Sequence, residues 1–159
     1  MTDREAAVVT RSEAETAALG RFLGERAEDG LFLALVGDLG TGKTHFVQGL
    51  AEGLGIEGAV TSPTFTIMNY YDGALPLKHF DFYRLDDADD LYNIGWEEYS
   101  AGGVVVCEWA DRFPEVIPPE AVTVTLTALS ETERRIVFTW TDAAPRSIVK
   151  EIQTYALGH

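Results

Sequence analysis

At 159 residues, 46% of them apolar, the chain is sized for one domain spanning 1–159 with a core of ordinary proportions. No apolar run approaches the roughly 18 residues that a membrane span needs, the opening MTDREAAVV holds no apolar signal core, and the lone Cys107 cannot form an internal disulfide; the expectation is a cytoplasmic protein with no membrane partner. The formal net charge is −14, with lysine only at Lys43, Lys78 and Lys150, so no Lys/Arg cluster of the kind that grips a nucleic-acid duplex is visible and any such role is expected to run through a partner.

In chain order, AAVVT reads as a first short strand. Ser12 opens a helix, because S-E-A-E is a capping box with Glu15 placed to reach back to the Ser12 amide. Leu19, Phe22 and Leu23 form the apolar stripe of that helix, which is predicted to end near Gly30. LFLALV, Leu31 to Val36, has no polar interruption, as expected of a strand covered on both faces of a parallel sheet. A glycine-rich turn follows, then a helix whose apolar positions Phe46, Val47, Leu50 and Leu54 recur at helical spacing before Gly55 stops it. FTIMNYYDG and LPLKHFDFYRL read as two strands joined at Asp72–Gly73, DDADDLYNIGWEEYS as one or two short helices, and GGVVVCEW as another buried strand. AVTVTLTAL and RRIVFTW alternate with period two and predict an antiparallel hairpin, and Arg146 to Leu157 predicts a last helix. The fold class that results is α/β: a mainly parallel, P-loop NTPase-like central sheet flanked by helices, with antiparallel edge strands.

The turn Gly37-Asp38-Leu39-Gly40-Thr41-Gly42-Lys43-Thr44 fits G-x-x-x-x-G-K-[ST] at every fixed position, with the required strand before it and helix after it. Glycines there let backbone amides turn toward phosphate oxygens, and the helix start adds the positive end of its dipole. Lys43 is expected at the β- and γ-phosphates, and the Thr44 hydroxyl is a hard oxygen donor suited to magnesium. No lysine lies in an N-K-x-D element of the kind that reads guanine, so ATP is the expected nucleotide.

A bound nucleotide needs a carboxylate across the site, and two segments offer one: Glu108 at the end of GGVVVC, and Asp81 in LKHFDFYR, where Leu77, His79, Asp81 and Tyr83 share a face by alternation. His79 reads as a hydrogen-bonded structural histidine, with catalysis as the alternative. Cys107 reads as core, and Trp109 as packing or as a wall of the nucleotide site. VTSPTFT, with Thr61, Ser62, Pro63 and Thr64, is either a switch that senses the γ-phosphate or a polar loop entering a strand.

GDLGTGKTHFVQGLAEGLG, VTSPTFTIMNYYDG, HFDFYRL and GGVVVCEW, in that order, resemble the TsaE family of small bacterial P-loop ATPases required for threonylcarbamoyladenosine modification of tRNA. The resemblance implies that Lys43 binds phosphate, that Thr44 and Glu108 coordinate Mg2+, that Asp81 is needed for hydrolysis of ATP to ADP, and that Thr61 to Thr64 form a switch-like loop. Lys43, Asp81 and Glu108 are thus the implied catalytic set. It further implies nucleotide contacts near Arg11, Ser12, Asp111, Arg112 and Arg134, and action on a TsaB–TsaD complex, with tRNA met only through those partners. Ala110 stands where the family commonly has proline, and His45 where it commonly has a second threonine. Two other readings share the loop. A small-molecule kinase would add a lid rich in arginine, whereas the nine arginines here are scattered; a nucleotide-gated adaptor would use the same site with incidental hydrolysis.

Overall fold

The computed structural model describes residues 4–37, 42–57, 68–73, 75–82, 85–93 and 95–158. P-loop residues 38–41, the expected switch at 61–64, and Tyr83 and Arg84 lie outside the described residues.

Strand β1 (Glu5–Thr10) leads into helix α1 (Glu13–Arg26), and β2 (Phe32–Val36) into α2 (Lys43–Gly53). Then come β3 (Met68–Tyr71), β4 (Leu77–Asp81), the short helices α3 (Asp89–Asn93) and α4 (Trp96–Tyr99), and β5 (Val104–Glu108). Two 3-10 turns, Ala110–Arg112 and Pro114–Val116, precede the hairpin β6 (Val122–Ala128) and β7 (Arg134–Thr139), and α5 (Arg146–Gly158) follows. All seven strands form one sheet in the order β1-β7-β6-β2-β5-β4-β3. β6, β2, β5 and β4 run parallel to one another, while β1 and β7 at one edge and β3 at the other pair antiparallel. The α/β fold with a parallel centre and antiparallel edges is the one expected. Among the described residues, no helix is long and apolar enough to cross a membrane.

The uninterrupted apolar strands are the two-sided ones. Leu33 and Leu35 of β2, with Val104 and Val106 of β5, pack with α1, α2 and α5 on one face. Phe32, Ala34, Val105 and Cys107 pack with Phe80, Phe82, Leu91 and Trp96 on the other. Burying such side chains contributes roughly 1.5–3 kcal/mol each.

Helix α1 ends at Arg26 rather than near Gly30. The residues between turn early because the Gly30 amide donates to the Gly103 carbonyl at 2.7 Å and the Asp29 carboxylate accepts from the Gly103 amide at 2.6 Å, tying this turn to the start of β5. At the other end of α1, the Ser12 hydroxyl accepts from the Glu15 amide at 3.1 Å, as expected of the cap, but Glu15 reaches back to the Arg11 amide at 3.0 Å, one residue earlier than the capping box predicts.

A feature with no counterpart in the sequence reading fixes α2. A Cβ at Gly49 would lie 1.9 Å from the Ala17 carbonyl oxygen, and one at Gly20 would lie 2.1 Å from that of Phe46. Gly24 and Gly53 continue the same four-residue spacing, so α1 and α2 touch backbone to backbone. Each helical glycine costs about 1 kcal/mol of propensity relative to alanine; the close approach of two apolar helices offsets it and anchors the helix that begins at Lys43.

Candidate functional site

Parallel strands deliver their carboxyl ends together, and ligands of open α/β sheets gather there. Register sets Leu35 opposite Glu108, and Glu108 opposite Asp81. Alternation then decides the face. Val104 and Val106 lie against α1 and α2, so Glu108 shares that side, and Asp81 follows Leu77 onto it as well. Both candidate carboxylates therefore sit at one strand end, on the side from which α2 begins.

Helix α2 starts open. Its N-cap is Gly42, at φ +94°, a left-handed conformation that suits glycine; no side chain caps it, and its first turn holds no acid. An 11-residue helix with no N-cap side chain and no acid in its own first turn offers a place for an anion. Lys43 is only 5% exposed. Its Nζ donates to the Gly37 carbonyl at 2.8 Å and lies 4.3 Å from the centre of the Trp109 ring. Among the described residues no carboxylate pairs with it, and the contacts recorded there are a carbonyl and a π face, an arrangement that favours an arriving anion. Lys78 is engaged at the opposite end of β4, where its Nζ donates to the Ala101 carbonyl at 2.7 Å.

Glu108, 3% exposed, is hydrogen-bonded to His79 Nε2, and His79 is 1% exposed. Trp109 follows at φ +58°, and it is the one non-glycine with positive φ among the described residues. Such a conformation costs about 1–3 kcal/mol and clusters at functional sites; here it turns the indole under Lys43. Burial pushes the Cys107 thiol well above its ordinary range, and the charges of Asp81 and Glu108 add to the effect. Cys107 is core, as expected, and has no access to thiolate chemistry.

The weaker expectations divide. Arg134 comes to the site: Thr10 pairs with it across β1 and β7, and its Nε lies 3.8 Å from where a Gly42 Cβ would stand. Three backbone carbonyls, of Ser130, Glu133 and Glu131, hold its guanidinium. Ser12 is engaged as the α1 cap, with Arg11 exposed beside it. Arg112 is drawn aside, its Nε donating to the Leu85 carbonyl at 2.7 Å, and Asp111 is exposed. Thr44 is exposed on the first turn of α2. Sequence reasoning missed Thr16, which is buried, bonded through its hydroxyl to Thr10 at 2.7 Å, and within 3.7 Å of a Gly42 Cβ. It belongs to no motif, and only the folded contact reveals it.

The donors fit magnesium held together with phosphates. Among the described residues, no group of three or more His, Cys, Asp or Glu could hold a metal unaided. The chain contributes hard oxygens singly, a Thr44 hydroxyl and a strand-end carboxylate, and magnesium is commonly bound by one or two such groups plus substrate phosphates and water.

The family model for the threonylcarbamoyl adenosine biosynthesis protein TsaE matches residues 10–136. A tRNA threonylcarbamoyladenosine biosynthesis protein TsaE from Treponema pallidum (strain Nichols) is 44% identical over 129 residues, covering 80% of this chain and 96% of that one. The protein of the same description from Bacillus subtilis (strain 168) is 45% identical over 127 residues, 79% of each chain. The crystal structure of Bacillus subtilis YdiB superposes with a TM-score of 0.76 at 34% identity, over 95% of each chain.

Proposed function

The chain belongs to the TsaE family, and with it to tRNA threonylcarbamoyladenosine biosynthesis; on that premise we propose that it is a magnesium-dependent, cytoplasmic ATPase, weak alone, that acts on a TsaB–TsaD type complex rather than on tRNA directly. The observation that carries the reading is the meeting of an uncapped α2 N-terminus and a buried Lys43 lacking a carboxylate partner among the described residues, at the strand ends bearing Glu108 and Asp81.

In this reading the phosphates of ATP take the open amides of α2, and Lys43 exchanges the Gly37 carbonyl for β/γ oxygens, a charge-assisted contact worth roughly 1.5–3 kcal/mol. Thr44 and Glu108 would hold Mg2+, which when bound supplies charge neutralisation to the phosphate oxygens. Asp81 orients the attacking water, and its charge favours the water's loss of a proton. Arg134, beside Gly42, lies within the same neighbourhood as a further cation for the nucleotide. The net charge of −14 supports contact with tRNA through partners only. A site with few specific groups of its own is expected to turn over slowly until a partner completes it.

Measuring ATP hydrolysis by the chain alone and with TsaB plus TsaD tests this. Slow turnover alone and faster turnover with the pair is expected. No hydrolysis in either case, or phosphoryl transfer to small hydroxyl acceptors, would overturn it.

A further inference from the structure

One polar group near the site is left unused by that account. His79 lies in β4 opposite Val106, two residues short of the Asp81–Glu108 pair, so it shares a face with Glu108 across adjacent parallel strands. Its Nε2 is hydrogen-bonded to Glu108 Oε2, and its Nδ1, buried as well, has no hydrogen-bond partner among the described residues.

This asymmetry assigns the hydrogen. A neutral imidazole carries one N–H. Set on Nε2, it is donated to the carboxylate, and Nδ1 keeps only an unshared lone pair. Set on Nδ1, it would leave a buried N–H unmet and turn the Nε2 lone pair against the carboxylate's own, which is worse on both counts. His79 is therefore a donor to Glu108, with no free lone pair at Nε2 to take a proton from water.

We propose that His79 is a positioning residue for the metal: by holding Oε2 it fixes the orientation in which Glu108 meets Mg2+. Residues that hydrogen-bond metal ligands orient them, and losing one typically costs tenfold to a hundredfold in metal affinity. The proposal rests on the reading of Glu108 as a magnesium ligand.

Two amides of nearly equal chemistry separate the role from bulk packing. In His79→Gln the side-chain NH2 reaches about as far as Nε2, whereas in His79→Asn it stops near the position of Nδ1. ADP binding would be measured by calorimetry with and without Mg2+, below the melting temperature of each variant. His79→Asn is expected to lose tenfold to a hundredfold of the magnesium-dependent gain in affinity with magnesium-free binding unchanged, and His79→Gln to keep most of the gain. Equal gains in the two variants, equal losses, or failure of both to fold would overturn the proposal. Glu108→Ala is the control for the underlying reading. If it keeps the full magnesium gain, the ligand assignment itself fails; if it loses the gain while His79→Asn keeps it, only the positioning role fails.

Discussion

The α1–α2 contact and the strand-end site adjoin each other but are built from opposite materials. Between the helices, glycines put main chain against main chain, and Gly49 has no room for even one carbon. At the strand ends, the candidate parts are side chains: His79, Asp81 and Glu108 on backbone fixed by the ladder, and Lys43 on the first turn of α2. The close helix contact sets the position of α2, and in the proposed function the chemistry falls to side chains that can be exchanged without moving that frame. Changes in the first region should therefore lower stability, and changes in the second should remove ligand binding or turnover from a molecule that still folds.

The largest effect should come from Gly49→Ala. A Cβ placed 1.9 Å from a main-chain oxygen forces the helices apart, at a cost of about 3 kcal/mol or more. That lowers the melting temperature by roughly 6–12 °C in a domain of this size. A thermal scan showing wild-type stability would show that the contact has room to give.

Asp81→Asn should keep ATP affinity and stability but lower partner-stimulated hydrolysis by about a hundredfold or more, the range for removing a general base. A variant that melts early yet hydrolyses normally per folded molecule would make Asp81 a structural charge and blur the comparison. Next in size, if Thr44 and Glu108 donate oxygen to the metal rather than to the phosphates, Thr44→Ala and Glu108→Ala should each weaken nucleotide binding in Mg2+ by about tenfold or more, with smaller losses in its absence. Equal losses with and without Mg2+ would show that the ligands are wrongly assigned.

The smallest effect tests the border between the two regions. Ser12→Ala removes the α1 cap, at about 1 kcal/mol or roughly 2–4 °C in melting temperature, and should leave the magnesium dependence of binding intact. A change in that dependence would move Ser12 from the frame into the site.

Much of this division was legible in the residues. LFLALV and GGVVVC have no polar interruption, which only two covered faces allow, and they are indeed the adjacent central strands β2 and β5. The P-loop spacing singles out Gly42 and Lys43 by pattern alone. Period-two alternation read β6 and β7 as a hairpin, but alternation names no partner. It could not set β1 against β7, nor β6 parallel to β2. Nor does it show that Asp81 and Glu108 are register neighbours. The glycines of α1 and α2 are poor helix formers by propensity, and the reason for each lies in the other helix. Trp109 reads as packing or as a wall of the nucleotide site from its place after Glu108, but the positive φ that sets its ring beside Lys43 has no signal in the sequence.

In the proposed function, the buried Lys43 at the start of α2 serves the phosphates of ATP. Calorimetric titration of ATP into the wild type and Lys43→Ala, each checked for folding by its melting transition, tests it most directly. Binding by the wild type and a Kd raised tenfold to a hundredfold in the variant are expected, with the fold retained; unchanged affinity in a folded variant would contradict a phosphate-binding role for Lys43.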